Sequence, residues 1–474
     1  MAKILKNFMY NSVYQIIAII IPLVTSPYLA RILGPDNLGI ESYVLSVSQI
    51  FYTIGMLGLT NYSTREIAYV REDKYKRSKV FWEMMISRVI VFGATLLIYL
   101  AVVYNSPYRI YFLIQIVWLF AMFFDASWFF SGMENFGVTV VRNLIVRIST
   151  IVCIFIFVKK EDDLFIYIAL CAISQIFGTL SIFPQLRKFV MKVSLKELEI
   201  AHHFWPSIKV FLPQVASVLY LQVDKVMIEA LAGDVKQIAY YSKAEQLIKA
   251  PLALITAVST VMMPRIANEF INDNKEKIKE YLSGSLTFLM FMAWPVAFGM
   301  AGIAYSMIPW FLGDGYMPAA TAMVMLAPII IAIAASSLSA NQYLLATNQT
   351  QYMTISYTTS AILNLIINAV LIPDLGFVGA AIGTVVAEYV VFIIQYYVMN
   401  KQIYIIPTFV RCLKYAVYSV IMYIVIRIAG EHMAPIISTT CIQIALGVVI
   451  YVVFLLITRD NFFFFAIKKV IHRG

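Results

Sequence analysis

Long apolar runs constrain this chain more than any other feature. They lie near 9–33, 38–59, 80–103, 110–131, 141–158, 164–184, 210–231, 238–260, 284–306, 321–343, 353–372, 379–399, 412–429 and 437–457. An α-helix needs about twenty apolar residues to cross the ~30 Å hydrocarbon core of a bilayer, so each run is a candidate span. Fourteen spans and their turns use up nearly all of the 474 residues. Large catalytic ectodomains, ATP-hydrolysing domains and receptor domains need roughly 100 or more residues of mixed polarity, and no such stretch exists. The 61% hydrophobic and 13% charged composition agrees, since soluble domains hold roughly 45–50% and about 25%. The predicted fold is all-α, a polytopic membrane protein. The fifth, seventh and eighth runs are interrupted by Arg142 and Arg147, by Asp224, Lys225 and Glu229, and by Lys243, Glu245 and Lys249.

Charge orients these spans. Lysines and arginines concentrate in cytoplasmic loops of membrane proteins. With the N-terminus inside, 25 fall in inner segments, five (Arg31, Arg109, Lys159, Lys160, Lys236) in outer ones and six within spans. Both termini are therefore expected in the cytoplasm, and the net charge of +10 needs no nucleic-acid partner. The apolar run after Met1-Ala2-Lys3 continues past residue 23 into Pro27-Tyr28-Leu29-Ala30-Arg31 with no A-x-A site, which reads as a first span rather than a cleaved leader. Phe462-Phe463-Phe464-Phe465 before Lys468-Lys469 and Arg473 reads as an interfacial anchor. Cys153, Cys171, Cys412 and Cys441 lie in apolar runs without zinc or C-x-x-C spacing, so no metal or other cofactor is expected.

A long basic loop after the sixth span divides the chain. It gives a six-span half over 1–184, a cytoplasmic linker over 185–209, a second six-span half over 210–399, and two further spans with a tail over 400–474. Pro22-Leu23-Val24-Thr25-Ser26 and Pro213-Gln214-Val215-Ala216-Ser217 are faintly alike. Paired halves with proline-interrupted helices are a transporter signature.

A charge at the bilayer centre costs about 2.5–3.5 kcal/mol, so each should face a partner or a wet cavity. Asp224 with Lys243, Arg31 with Glu41 across Gly34-Pro35, and Asp125 with Arg147 lie at matching depths on neighbouring spans. Each pair fits either a structural staple or a cavity lining. Arg88, Lys249 and Glu388 sit about 13–17 Å from a surface, near the midplane, with Glu245 one turn from Lys249. Clustered cations suit an anionic substrate, and guanidinium groups suit phosphate. Pro22, Pro27, Pro213, Pro251, Pro295 and Pro328 fall within spans, where each removes a helix hydrogen bond.

Ala30-Arg31-Ile32-Leu33-Gly34-Pro35, Gly39, Gly58-Leu59 and Thr64-Arg65-Glu66-Ile67-Ala68 resemble the N-terminal signature of the bacterial Wzx-type polysaccharide flippases. Asp224-Lys225-Val226-Met227-Ile228, Tyr241-Ser242 and Val261-Met262-Met263-Pro264-Arg265-Ile266 resemble the same family further on. The resemblance covers the whole chain in length, span count and loop pattern. It implies a member of the multidrug, oligosaccharidyl-lipid and polysaccharide exporter superfamily, with two six-helix lobes around a central cavity. The implied function moves an undecaprenyl-diphosphate-linked oligosaccharide from the inner to the outer leaflet of the bacterial cytoplasmic membrane by alternating access, for capsule, exopolysaccharide or O-antigen assembly. Peptidoglycan-lipid flippases carry an Arg-Asp pair where this chain has Thr25-Ser26, so lipid II is a poorer match.

On this reading Arg31, Arg65, Arg88, Arg147, Lys225 and Lys249 are the candidate substrate contacts. Asp224 and Glu388 are the candidate carboxylates for coupling to H+ or Na+, and a polysaccharide polymerase of the same pathway is an expected partner. A cation-coupled multidrug exporter is the alternative within transporters, though its cavity should be dominated by carboxylates. A membrane polymerase or acyltransferase is the alternative from another class. It should carry a long outer loop or a buried histidine constellation, whereas His202, His203, His432 and His472 read as solvated loop or tail residues. No enzymatic role is expected.

Overall fold

The computed structural model describes residues 2–471, with side chains described outside 2–20, 136, 209–210, 212–217, 219–220, 466–467 and 469–471. The expected match at 213–217, and His472 and Arg473 of the tail, lie outside these. All regular elements among the described residues are helical. The chain forms two compact units, Met1–Val226 and Met227–Gly474. The first holds α1 (Ala2–Met56), α2 (Leu59–Val70), α3 (Lys74–Val103), α4 (Arg109–Phe124), α5 (Ser127–Gly132), α6 (Phe136–Phe157), α7 (Leu164–Leu186) and most of α8 (Phe204–Ala232). The second holds α9 (Val235–Lys249), α10 (Leu252–Ile271), α11 (Lys275–Leu312), α12 (Met317–Leu326), α13 (Ile329–Ser337), α14 (Thr350–Leu375), α15 (Phe377–Gln402), α16 (Ile406–Glu431), α17 (Ile437–Ile457) and α18 (Asn461–Ile471).

Nine of these helices are long and apolar enough to cross a bilayer, and three bent pairs raise the number to twelve among the described residues. The expected first span lies largely, and the seventh partly, where side chains are not described. Together with the twelve, the chain is that of a multi-pass membrane protein. The turn expected at Gly34-Pro35 splits α1 into two helices. Gly34 takes φ 73° and ψ 173°, which a residue with a Cβ resists, and Pro35 follows with the preset φ of a helix start. Asn37 closes the turn, donating to Leu33 O at 3.0 Å and to Glu161 O at 2.9 Å.

The expected eighth span, 238–260, is not one helix. α9 ends at Lys249 and α10 begins at Leu252, bent by 47°, because Pro251 between them brings no N–H and crowds the preceding turn. The expected tenth span breaks likewise before Pro328, by 45°, and its helix ends in a π-helical turn over Leu338–Leu344. Pro22, Pro27 and Pro295 leave their helices continuous.

The first unit packs around aromatic side chains. Phe81, Tyr99, Phe112, Phe123, Phe129 and Phe130 are buried together. Phe51 on Tyr99 and Tyr52 on Phe123 meet edge to face with centroids 5.2 and 5.5 Å apart. Part of the chain's Tyr and Phe content thus forms a core. Outward faces are apolar: Leu97, on the helix that buries Glu83 and Arg88, is 72% exposed. In a bilayer such a face meets lipid tails and carries no hydrophobic cost.

The second unit is held together by small and polar residues. Ser356, Ser360, Asn364 and Asn368 recur every four residues on α14, forming one buried stripe against α15. Gln395 Nε2 donates to Ser356 at 2.8 Å, Ser360 to Ala387 O at 2.7 Å, and Asn368 Nδ2 to Asn364 Oδ1 at 3.2 Å. Gly379 and Gly383 let the helices close: a Cβ at Gly379 would strike the backbone at Leu371, and one at Gly383 the Asn368 amide. This is the small-xxx-small packing of membrane helices. Gly383→Leu is expected to cost about 1–3 kcal/mol by overpacking, read as a lower thermal midpoint of the purified protein, with Ala380→Gly as a control that removes bulk instead of adding it.

At the chain's end, buried Asp460 accepts from Tyr415 at 3.2 Å, pairs with Lys414, and caps α18 through Phe463 N at 2.8 Å. Of the expected anchor, Phe462 packs on Phe291 with centroids 5.4 Å apart, while Phe464 and Phe465 are exposed.

Candidate functional site

Alternating spans place the turns at Gly34 and between α3 and α4 and α6 and α7 at one end of the first unit. α2 and the segment 187–203 lie at the other, basic end. Three features carry chemistry between these ends.

The first is a cationic junction where α4 unwinds. α4 stops at Phe124, so its last carbonyls need donors. Arg88 of α3, 1% exposed, supplies one, donating through Nη1 to Phe123 O at 2.9 Å while its guanidinium lies over Trp128 at 5.2 Å. Its Nε and Nη2 meet no hydrogen-bond partner among the described residues. Asp125, in the break, pairs with Arg142 at 2.6 Å, and Ser127 bridges the two. The expected Asp125–Arg147 pair is thus replaced by Asp125–Arg142. The unwound residues 125–126 bring the carboxylate to the first turns of α6, and Arg147 lies about 7.5 Å further along that helix.

The second feature is a cavity of about 330 Å3 with charged and polar side chains in a largely apolar wall. It lies in the half of the unit nearer Gly34, and Glu41, Gln115, Trp118, Arg147, Thr150 and Tyr167 face it. A separate, mostly apolar groove of about 1040 Å3 runs between α6 and α7, with Arg142 near one end and Val146 and Ser174 shared with the cavity.

The third feature is one that sequence reasoning missed. His202 is exposed, but His203, expected as a solvated loop residue, is 5% exposed. Its Nδ1 meets Tyr62 Oη at 2.9 Å and its Nε2 meets Glu83 Oε2 at 2.9 Å. Glu83 Oε1 accepts from Glu199 N at 2.7 Å, and the Glu199 carboxylate pairs with Lys79 at 2.8 Å. The Lys79 hydrogen bond and charge hold the Glu199 carboxyl below the usual carboxylate range. The segment 187–203 is therefore fastened along α3, also through Arg77 to Phe189 O at 2.9 Å and Trp82 to Met191 O at 3.0 Å. The available signal was Glu83 itself, an acid inside an apolar run and so in want of a partner.

The remaining expected residues are spread out. Arg31 is exposed before the Gly34 turn. Arg65 is exposed on α2, 3.3 Å from Glu66 and over the Tyr62 ring at 5.2 Å. Asp224 is buried and Lys225 half-buried on α8. In the second unit Lys249 pairs with Glu245 at 2.6 Å on one face of α9, as the i,i+4 spacing suggests. Glu388 is buried on α15, one turn from Thr384, which meets Tyr241 Oη at 2.8 Å.

The family described as "Polysaccharide biosynthesis protein" matches residues 4–270. A protein of Escherichia coli (strain K12) named "Putative O-antigen transporter" is 22% identical over 392 residues, covering 81% of this chain and 93% of its own length. A protein of the same name from Shigella dysenteriae is 24% identical over 276 residues, covering 55% and 66%. Among solved structures, "Lipid II flippase MurJ, inward closed conformation" superposes with a TM-score of 0.74 at 17% identity, covering 96% of this chain and 99% of that one. An inward-facing multidrug resistance MATE family transporter of the MOP superfamily does so with 0.63 at 15% identity, covering 81% and 94%. At these identities the two structures speak to fold alone.

Proposed function

The chain belongs to the polysaccharide biosynthesis protein family, and from that premise we propose that it is a flippase carrying undecaprenyl-diphosphate-linked oligosaccharide repeat units from the inner to the outer leaflet of the cytoplasmic membrane. The family match over residues 4–270 carries this reading. The names of its O-antigen transporter relatives and the flippase-like fold support it.

The distribution of cations is consistent with a diphosphate ligand. Arg65 stands exposed at the basic end, which the Lys and Arg distribution places in the cytoplasm, where the head group would enter. Arg88 has guanidinium nitrogens to spare and Lys249 pairs with the Glu245 carboxylate, and on this reading both trade a protein partner for phosphate oxygens. Lys225 assists, and Arg31 meets the head group as it leaves. The polyprenyl tail stays in lipid while alternating access turns the head group outward. A ligand shifts a conformational equilibrium only by its differential affinity for the two states. Asp224 and Glu388, buried carboxylates, are assigned to H+ or Na+ coupling.

The test is where the lipid-linked repeat units reside. Deleting the protein is expected to trap them on the inner leaflet, measured by their accessibility to a membrane-impermeant glycan-modifying enzyme in spheroplasts. Dissipating the proton or the sodium gradient separately in wild-type cells identifies the coupling ion. Normal outward appearance in the deletion strain, with other flippases also removed, would falsify the proposal.

A further inference from the structure

The segment 187–203 is fastened to α3 along one side, and its other side carries a surface that holds none of the residues assigned to substrate or ion above. Both of its carboxylates bond to α3, Glu197 accepting from Tyr75 and Glu199 pairing with Lys79 at 2.8 Å. Lys188, Lys192 and Lys196 are exposed, so the outward charge is cationic. Among them Met191 and Leu195 are exposed, Leu195 by 75%, and Trp205, two residues past His203 at the start of α8, by 69%.

Position decides what covers this surface. Trp82 Nε1 donates to Met191 O at 3.0 Å. Trp82, Val89 and Leu97, at intervals of seven and eight residues, share one exposed apolar stripe of α3. Such a stripe on a spanning helix meets lipid tails, so the segment runs along the lipid-facing side of α3. The apolar runs begin at 80 and 210. Trp82 therefore stands at the edge of the hydrocarbon core, and Trp205 about 7.5 Å of helix outside it, in a head-group layer roughly 5–8 Å deep. Tryptophan concentrates at this level because its ring is apolar and its N–H is not. Aromatic and aliphatic groups interleaved with lysines match an anionic bilayer surface. Protein interfaces, by contrast, are poor in lysine and take their cations as arginine.

We propose that residues 187–205 dock on the anionic phospholipid head groups of the adjoining leaflet, with Met191, Leu195 and Trp205 in the interface and the three lysines against lipid phosphates. The His203–Glu83 contact then holds the segment to the protein while the leaflet holds its outer face. The lipid in question is the surrounding bilayer and not the transported molecule, so the inference stands apart from the flippase reading.

Trp205 fluorescence reads the docking. The full chain is placed in nanodiscs of phosphatidylcholine, with or without phosphatidylglycerol, in which some of the phosphatidylcholine is brominated near the top of its acyl chains. The Trp205 component is the difference between wild type and Trp205→Phe. With phosphatidylglycerol present, Trp205 is expected to be quenched by the bromines and shielded from acrylamide in the water. Each lysine beside an anionic leaflet strengthens docking about fivefold. Turning Lys188, Lys192 and Lys196 to glutamine together should therefore return Trp205 to its behaviour in phosphatidylcholine alone, and high salt should do the same to the wild type. Leu195→Trp in the Trp205→Phe background is a second probe and should respond alike. Acrylamide quenching that no lipid alters overturns the proposal and leaves a solvated loop. Equal bromine quenching with and without phosphatidylglycerol overturns it in favour of a purely apolar contact. Shielding in native membrane vesicles but not in nanodiscs overturns it in favour of a protein partner.

Discussion

Glu83→Ala is expected to destabilise the first unit by about 1–3 kcal/mol, the usual cost of leaving a buried hydrogen-bonding group without its partner. The carboxylate it removes serves His203 Nε2 and the Glu199 backbone N–H at once, and both would be left without their acceptor. Glu83→Gln keeps an acceptor and should lose markedly less. Thermal unfolding of the purified protein gives the size of the effect, and limited trypsinolysis gives its location. Lys196 is exposed in the segment this network holds down, so cleavage there should accelerate in Glu83→Ala before other sites respond. Adding His203→Ala to Glu83→Ala should cost little more, because the two residues act as one unit. An unchanged midpoint together with unchanged cleavage at Lys196 would show that the network does not fasten the segment.

Arg88→Met is expected to abolish transport while the protein still inserts and accumulates. The substitution keeps most of the side chain's packing volume and removes the charge, so it separates two roles. Capping the end of α4 is structural: losing the bond to Phe123 O should cost about 1.5–3 kcal/mol, typical of hydrogen bonds to charged groups. Under the proposed function the same guanidinium also engages phosphate through the nitrogens that the fold leaves unbonded. Arg88→Lys should recover part of the stability but little of the transport, since an ammonium lacks the planar fork that grips phosphate and stacks on Trp128. The leaflet assay reads transport, and denaturation reads stability. A well-expressed Arg88→Met protein that is destabilised yet flips at the wild-type rate would assign Arg88 to the helix end alone.

Much of the fold was legible because membrane helices announce themselves in one dimension. Runs of apolar residues of the right length, the Gly34-Pro35 turn and the Glu245–Lys249 spacing depend only on neighbours along the chain. Where partners come from distant segments, matching depth was a weaker guide. Asp125 and Arg147 share a depth, but unwinding after Phe124 moved the carboxylate to Arg142. His203 sits in a basic, loop-like stretch, and nothing local says that Tyr62 and Glu83 close over it. The cavity beside Gln115 was equally hidden, since its walls come from four helices far apart along the chain. The α14 stripe could have been found: Ser356, Ser360, Asn364 and Asn368 keep a four-residue period that an apolar scale averages away.

That stripe has a mechanical consequence. Two helices zipped by buried hydrogen bonds and seated over Gly379 and Gly383 have no smooth plane on which to slide, so α14 and α15 should travel as one stiff rod. Any flexing of the second unit is then left to its joints: the bends at Pro251 and Pro328, where backbone hydrogen bonds are already missing, and the wide turn at Leu338–Leu344. Such a unit works less like a spring, with strain spread through every helix, than like a hinged frame.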